Sequence, residues 1–271
     1  MTPMTPAREC LSDTVGQLPG ISLEEVTDKA DLQVRVDHKY VVSLDVFQRF
    51  IGAIGPRLAV LDIDRLRVFQ YESIYFDTDI LTAYRQHAYG RRRRFKLRTR
   101  TYLDSGDCLL EVKLQGGRGE TVKKRMPYSA EHRHVLTPAA REFATMHLDD
   151  TEVVADLAEV VTSAYSRSTL VDLTGGSRVT CDVDLYFAGG GRECHGSTAT
   201  VLIESKTVGA SAIADAVLWR LGQRPIAVSK YCAGMALLRP ELPANRWNRE
   251  LRTLFGWEPD RAAPRAAPAL G

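Results

Sequence analysis

Long hydrophobic runs are absent from this 271-residue sequence. No window approaches the roughly 18 apolar residues of a transmembrane helix, and Met1–Cys10 has no apolar segment of the kind found in signal peptides. The five cysteines are scattered without a CxxC pair, which argues against a zinc knuckle or redox motif and fits a reducing compartment. We therefore expect a cytoplasmic protein that reaches a membrane only through a partner.

Motifs for several common kinds of chemistry are also missing. The sequence has no GxxxxGK[ST] phosphate-binding loop, no GxSxG nucleophile turn and no HExxH metal motif. Gly189–Gly191 lacks Rossmann spacing and is typical of a hairpin loop. The basic run Arg91–Arg94 is typical of a solvated turn or strand end, because no RNP motif, helix-turn-helix or zinc finger accompanies it. We expect no specific nucleic-acid partner.

The net charge is only +2, so any anion-binding role requires local clustering of charge. Such clusters occur in six segments where polar or charged residues alternate with apolar ones, as in β-strands. For one segment alone, the simpler interpretation is a charged face in water, with Glu111/Lys113 or Glu204/Lys206 in a salt-bridge ladder. The six segments are Arg35–Lys39, Lys96–Arg100, Glu111–Lys113, Lys123–Arg125, Arg178–Asp184 and Glu204–Lys206.

Six such segments in one chain favour a different arrangement. Helices can pack on the apolar strand faces, and the charged faces then line the inside of a closed sheet. A charged interior is costly unless it holds an ion or ligand. The basic side chains are Lys96, Arg98, Arg100, Lys113, Lys123, Arg125, Arg178 and Lys206, and the acidic ones are Glu111, Asp182, Asp184 and Glu204. The sequence thus predicts an α+β fold: an antiparallel β-barrel, or tunnel, with a charged interior and flanking helices.

Four further segments have the pattern of helices. Ser43 is a suitable N-cap for a helix that stops at Gly55-Pro56. The other three segments are Pro138–His147, Thr151–Ala164 and Ser211–Leu221. We expect residues 1–30 to form a partly flexible lead-in, residues 31–257 to form the tunnel domain, and residues 258–271, rich in Ala, Pro and Arg, to be a disordered tail.

The charged strands suit a chain of phosphate groups. Lys96, Arg98 and Arg100 would lie about 6.5–7 Å apart on one strand face, which is roughly the reach of successive phosphates. Arg offers phosphate a planar fork, and Lys offers a point charge. A carboxylate such as Glu204 or Glu111 can hold Mg²⁺ or Mn²⁺, with phosphate oxygens completing the coordination.

Seven short motifs occur in the order known from one family. They are Lys39-Tyr40, Ser73–Thr78, Lys96–Tyr102, Leu110–Lys113, Val122–Arg125, Leu202–Lys206 and Val228–Tyr231. Over about residues 33 to 240 the chain resembles the VTC domain, the polyphosphate polymerase domain of the vacuolar transporter chaperone complex. That family belongs to the wider triphosphate tunnel metalloenzyme, or CYTH-like, group. The resemblance implies an antiparallel β tunnel that transfers the γ-phosphoryl group of ATP to a growing polyphosphate chain with Mn²⁺ or Mg²⁺.

The resemblance also implies roles for individual residues. The catalytic residues would be Arg98, Arg100, Lys113, Lys206 and Glu204, with Glu204 binding the metal and Asp182 or Glu111 as additional candidates. The other phosphate-binding cations would be Lys39, Lys123, Arg167, Arg178 and Lys230, with Arg167 at a predicted helix-to-strand junction. The partners would be ATP and inorganic polyphosphate. The sequence shows no SPX-like regulatory region, which fits a free-standing bacterial-type member whose membrane partner, if any, is encoded separately.

Two alternatives remain open. The first is a CYTH-type triphosphatase or nucleotide cyclase, whose first strand carries Glu-x-Glu-x-Lys. The corresponding residues here are Arg35-Val36-Asp37-His38-Lys39, so Arg35 replaces the first carboxylate, which favours the polymerase. The second is a protein that binds polyphosphate or triphosphate without turnover, for which the cations are needed but Glu204 is not.

Overall fold

A computed structural model describes residues 4–29, 36–115, 121–207 and 212–258. Arg35, Ser211 and all of the predicted tail except Glu258 lie outside these ranges. Within the described ranges, nine α-helices accompany one large, mainly antiparallel sheet. No helix in this part of the chain is long and apolar enough to cross a membrane.

Eight strands form one continuous antiparallel path through the sheet. In spatial order they are β2 (Val36–Ser43), β11 (Thr200–Thr207), β9 (Arg178–Gly189), β8 (Ala158–Asp172), β4 (Phe69–Asp77), β5 (Arg94–Tyr102), β6 (Cys108–Gln115) and β7 (Thr121–Tyr128). Three short strands extend this path: β1 (Gly20–Ile21) pairs with β3 (Leu58–Leu61), β3 pairs with β8, and β10 (Arg192–His195) pairs with β9.

The helices follow local sequence signals. They are α1 (Pro6–Gly16), α2 (Leu23–Lys29), α3 (Leu44–Ile54), α4 (Thr82–Ala88), α5 (Pro138–Leu148), α6 (Thr151–Ala155), α7 (Ile213–Arg220), α8 (Lys230–Leu238) and α9 (Asn248–Phe255). The Ser43 hydroxyl accepts a hydrogen bond from the Val46 N–H, so α3 begins where the sequence predicts. The chain leaves α7 at Gly222, whose φ of +78° is accessible to glycine without strain.

The alternation of the charged strands sorts side chains between two faces of a curved sheet. Leu97, Leu110 and Val112 are fully buried on the outer face, while Arg98, Glu111 and Lys123 meet on the inner face. The two edge strands, β2 and β7, do not pair with each other in the described residues. Curvature of the sheet nevertheless brings β2 close to β6, since Lys39 of β2 and Lys113 of β6 line the same cavity. The predicted α+β fold is confirmed, although hydrogen bonds among the described residues do not close the sheet.

The N-terminal segment contributes to one of two apolar cores behind the sheet. Ala7, Leu11 and Val15 of α1 are buried against α3, α7 and the outer faces of β2, β9 and β11. The second core joins α4, α5 and α8 to β4, β5 and β6. Burial of this kind supplies most of the free energy that holds an amphipathic helix in place. The described part of the lead-in is therefore packed onto the tunnel.

One helix prediction was wrong. The segment Thr151–Ala164 forms only the short helix α6, and β8 begins at Ala158. Val160, Val161 and Thr162 are β-branched, which favours a strand, but the period-two pattern is weak because the buried positions Val161 and Ser163 are no more apolar than the less buried Val160 and Ala164. Arg167 consequently lies in the middle of a 15-residue strand, not at a helix-to-strand junction.

A β-bulge changes the predicted position of Asp184. The pairing of β8 with β9 shifts between Ala164 and Ser166, and Asp184 adopts a positive φ of 55°. Its carboxylate accepts a hydrogen bond from the Thr5 hydroxyl at the start of α1. Asp184 therefore leaves the inner-face alternation that Asp182 follows. The predicted hairpin at Gly189–Gly191 is confirmed, since Gly190 and Gly191 both have positive φ between β9 and β10.

Candidate functional site

Glu111 of β6 forms the first of three ionic clusters on the inner face of the sheet. Its carboxylate lies 2.6 Å from Nη2 of Arg98 and 3.9 Å from Nε of Arg100, and it also contacts Lys123. Register explains the contact with Arg98, its partner on β5, while Arg100 and Lys123 are diagonal neighbours, each two residues from a direct partner of Glu111. Burial would raise the pKa of Glu111, but the three cations outweigh it and hold the pKa well below its usual range.

Asp182 of β9 forms the second cluster. Arg167 of β8 is its register partner and donates two hydrogen bonds to it, of 2.5 and 2.8 Å. Lys230, the first residue of α8, contacts the same carboxylate. Although burial opposes ionisation, these two cations lower the pKa of Asp182 to about 2. A carboxylate from the sheet thus fixes a cation from the sheet and one from a helix.

Glu204 of β11 forms the third cluster. Its two carboxylate oxygens lie 3.5 Å from Nζ of Lys39 and 3.3 Å from Nζ of Lys206. The Glu204 side chain is 16% exposed, against 2% for Glu111 and 1% for Asp182. Burial lowers the pKa of Lys206 to about 7, and Arg178, its register partner on β9, acts in the same direction.

All ten predicted site residues therefore line the interior, nine of them from the inner face of the sheet and Lys230 from α8, and Asp182 and Glu111 lie on the same inner face. Seven cations meet three carboxylates in the clusters, so positive charge remains in excess. Lys113 faces the space inside the sheet without an ion pair among the described residues, and burial lowers its pKa. Arg100 has a buried Nε that finds no hydrogen-bond acceptor in the described structure. A buried, unpaired donor costs about 1–3 kcal/mol, so this atom is suited to an incoming anion.

Three tyrosines that the sequence analysis did not single out complete the interior. Tyr75 accepts a 3.0 Å hydrogen bond from Nη1 of Arg98. The ring of Tyr165 lies 4.2 Å from Nζ of Lys230 and stacks on the ring of Tyr71 at 5.4 Å. Tyr71 and Tyr75 lie an even number of residues apart on β4 and so share one face. This period-two spacing is the sequence signal that could have identified them. Such cation–π contacts orient the basic groups without neutralising them.

A buried carboxylate outside the clusters places α8. Asp77, at the end of β4, accepts hydrogen bonds from the backbone N–H groups of Ala83 and Tyr84 and from the Tyr231 hydroxyl. The ring of Tyr231 lies 5.1 Å from that of Tyr75 on the inner face. Because Tyr231 follows Lys230 directly, this anchor at the start of α8 directs the Lys230 ammonium onto Asp182.

The three carboxylates differ in their suitability for a divalent metal. Mg²⁺ and Mn²⁺ are often held by one or two carboxylates together with substrate phosphates. Glu111 and Asp182 are nearly inaccessible and are taken up by arginine and lysine. Glu204 is more accessible and makes only longer contacts with two flexible lysines, so it fits a metal that a triphosphate also binds. The described residues contain no group of three His, Cys, Asp or Glu side chains placed to hold a metal without substrate.

The basic run at the start of β5 lies outside the clusters. Arg91, Arg92 and Arg93 are exposed in the turn that precedes β5, which confirms the prediction of a solvated turn. Charges in this position are screened by water and salt. They therefore provide matched control positions for the buried arginines.

Comparisons with known proteins agree with the resemblance seen in the sequence. Residues 34–239 match the VTC domain family. No curated protein matches the chain. Among solved structures, a putative adenylyl cyclase from Hippeastrum, described as having a dominant triphosphatase activity, is 13% identical with a TM-score of 0.48, and the match covers 75% of this chain and 96% of that one.

Two further solved structures are similar at lower scores. A conserved hypothetical protein from Pyrococcus furiosus is 14% identical over 70% of this chain and 88% of its own, with a TM-score of 0.38. A protein from Pyrococcus horikoshii is 15% identical over 70% and 90%, with a TM-score of 0.37. The family match spans well over half of the chain, so the chain belongs to the VTC domain family.

Proposed function

We propose that this protein is a polyphosphate polymerase that transfers the γ-phosphoryl group of ATP to the end of an inorganic polyphosphate chain. The observation that carries the proposal is the arrangement of seven cations around three carboxylates on one inner face. Phosphoryl transfer needs little covalent chemistry from the protein, so positioning and electrostatic stabilisation dominate. A fixed row of cations supplies both.

The low pKa values of the carboxylates favour transfer to phosphate over hydrolysis. Activation of water calls for a base with a pKa near the working pH. The pKa values of Glu111, Asp182 and Glu204 all lie well below that range. A bound triphosphate also favours the protonated form of Lys206. A terminal phosphate is already ionised near neutral pH and needs no base, so it is the acceptor that this interior suits.

In the proposed reaction, the terminal phosphate of the chain attacks the γ-phosphorus of ATP in line. Arg98, Arg100 and Lys113, together with Lys206, hold the triphosphate and stabilise charge on the transferring group. Lys39, Lys123, Arg167, Arg178 and Lys230 line the rest of the phosphate track. A divalent metal at Glu204 would spread negative charge over the phosphate oxygens. No side chain acts as a nucleophile.

The first experiment compares Arg100→Ala with Arg92→Ala in polyphosphate synthesis from ATP. Loss of a confined cation raises the barrier by about 2.7–4 kcal/mol, or roughly 10²–10³ in rate, by analogy with loss of one oxyanion donor. Arg92 is exposed, so its substitution changes the rate little. Thermal melting confirms that both variants are folded. Equal, small losses in the two variants contradict the assignment.

A further inference from the structure

The basic turn at the end of α4, made by Arg91, Arg92 and Arg93, has no role in the proposed reaction. These three arginines and Arg85 of α4 are exposed. None of the four forms an ion pair among the described residues. Asp79 is the one acidic residue between positions 78 and 94 of the sequence. The positive charge of this surface is therefore available to an anionic partner.

The backbone of the basic turn is fixed by hydrogen bonds that leave the arginine side chains free to bind. The N–H of Arg91 donates to the Gln86 carbonyl at 2.9 Å. The N–H of Gly90 donates to the His87 carbonyl, and Gly90 has a positive φ of 65°, as in a Schellman motif. Arg246 packs against Gly90 from outside and donates to the same His87 carbonyl. A rigid turn loses little conformational entropy when it binds a partner.

Two exposed apolar side chains accompany the arginines, one at each end of α4. Ile80 is 71% exposed and Tyr89, the C-cap residue of α4, is 58% exposed. They are isolated from one another and form no contiguous patch of the size that a protein partner needs, which is about 800 Å² on each side. Single apolar side chains can instead insert between lipid head groups, and tyrosine is enriched at the boundary between membrane and water.

The basic turn lies at one end of a charge gradient along the sheet. It precedes β5, whose nine residues span about 30 Å. The turn at the other end of β5, residues 103–107, carries the exposed Asp104 and Asp107 and no basic residue. The molecule therefore has ends of opposite charge although its net charge is only +2. A negatively charged surface attracts one end, repels the other and so orients the protein.

We propose that the basic turn, with Ile80 and Tyr89, binds the surface of a membrane that contains anionic phospholipids. Clusters of four or more arginines and lysines next to apolar side chains are typical of such binding. A nucleic acid could contact the arginines but would leave Ile80 in water. The sequence led us to expect contact with a membrane only through a partner, whereas this surface would reach the membrane directly. The proposal does not depend on the proposed reaction.

The test measures cosedimentation with vesicles in the absence of ATP. One set of vesicles contains three parts phosphatidylcholine to one part phosphatidylserine, and the other contains phosphatidylcholine alone. The test variant replaces Arg91, Arg92 and Arg93 with glutamine. The control variant replaces three exposed arginines from elsewhere on the surface with glutamine, and so has the same net charge; they are Arg49, Arg65 and Arg220.

We expect the wild type to bind the anionic vesicles and not the neutral ones. Each arginine near the surface contributes about fivefold, so the test variant binds roughly 100-fold more weakly, while the control variant stays within about threefold of the wild type. Tyr89→Ser weakens binding severalfold at both low and high salt, because its contribution is apolar, whereas salt screens the contribution of the arginines. Thermal melting confirms that each variant is folded.

Several outcomes overturn the proposal. The wild type then binds neutral and anionic vesicles equally, or the test and control variants lose the same affinity. Unchanged binding by Tyr89→Ser at both salt concentrations refutes insertion of an apolar side chain. Single-stranded RNA that binds more tightly than the vesicles, through the same three arginines, refutes the lipid as the partner. Because no ATP is present, a failure of the polymerase assignment leaves each of these results unchanged.

Discussion

Glu111→Gln is the substitution for which we expect the largest loss of stability. Glu111 is 2% exposed and contacts Arg98, Arg100 and Lys123. Removal of its charge leaves partly buried cations without their counter-ion, and breaking an ion pair whose carboxylate is buried costs about 3–5 kcal/mol. At roughly 2 °C per kcal/mol for a chain of this size, the Tm falls by about 6–10 °C.

Added phosphate should reverse part of this loss. The substitution changes the local charge from three cations with one carboxylate to three cations alone. An anionic ligand then binds more tightly, and each tenfold gain in affinity adds about 1.4 kcal/mol of stabilisation at saturation, or roughly 3 °C. Saturating tripolyphosphate therefore raises the Tm of Glu111→Gln more than it raises that of the wild type.

The assay is thermal unfolding with and without tripolyphosphate, with Glu72→Gln as the control. Glu72 also pairs with an arginine, at 2.8 Å from Arg133, but both side chains are partly exposed, so its loss costs less than about 1 kcal/mol. Equal melting temperatures for Glu111→Gln and the wild type, or an equal response to tripolyphosphate, refute the view that Glu111 neutralises a phosphate site.

Two further predictions concern metal and pH. Glu204→Gln abolishes metal-dependent turnover, while its affinity for tripolyphosphate without metal stays within about threefold of that of the wild type. Full activity in this variant contradicts the proposed role of Glu204 in binding the metal. Burial lowers the pKa of Lys96 to about 8, so its charge is present below that pH and is lost as the pH rises through it. Long-chain polyphosphate affinity therefore falls above pH 8, and Lys96→Arg, which stays protonated, reduces that decline. An identical pH dependence in this variant contradicts the role of Lys96.

Period-two alternation was sufficient to predict the inner face of most strands. On β5 the residues Lys96, Arg98 and Arg100 alternate strictly with the buried residues Phe95, Leu97, Thr99 and Thr101, and the structure places them as predicted. The pattern was insufficient for the first half of β8, where burial alternates from Val160 to Ala164 but apolar and polar residues in the sequence do not. The bulge at Asp184 also has no sequence signal, because it depends on the pairing of β9 with β8.

Partners within the site could not be predicted from one sequence. Glu111 meets Arg98 because β5 and β6 pair in one register, and a shift of one residue would turn one of them outward. Lys230 meets Asp182 where Tyr231 anchors the start of α8 to Asp77, which is far away in the sequence. The sequence was therefore sufficient to predict the charge of each site residue and the strand face on which it lies. Which cations contact which of the three carboxylates could be determined only from the structure.

The fate of labelled phosphate tests the central claim most directly. The protein is incubated with γ-labelled ATP and Mn²⁺ or Mg²⁺, and the products are separated on a gel before and after treatment with a polyphosphate-degrading enzyme. We predict label in long chains that this enzyme removes, with synthesis lost in Arg100→Ala and retained in Arg92→Ala. Label found entirely in free inorganic phosphate would show a triphosphatase, and unchanged ATP at every metal concentration would show a binding protein; either result contradicts the polymerase.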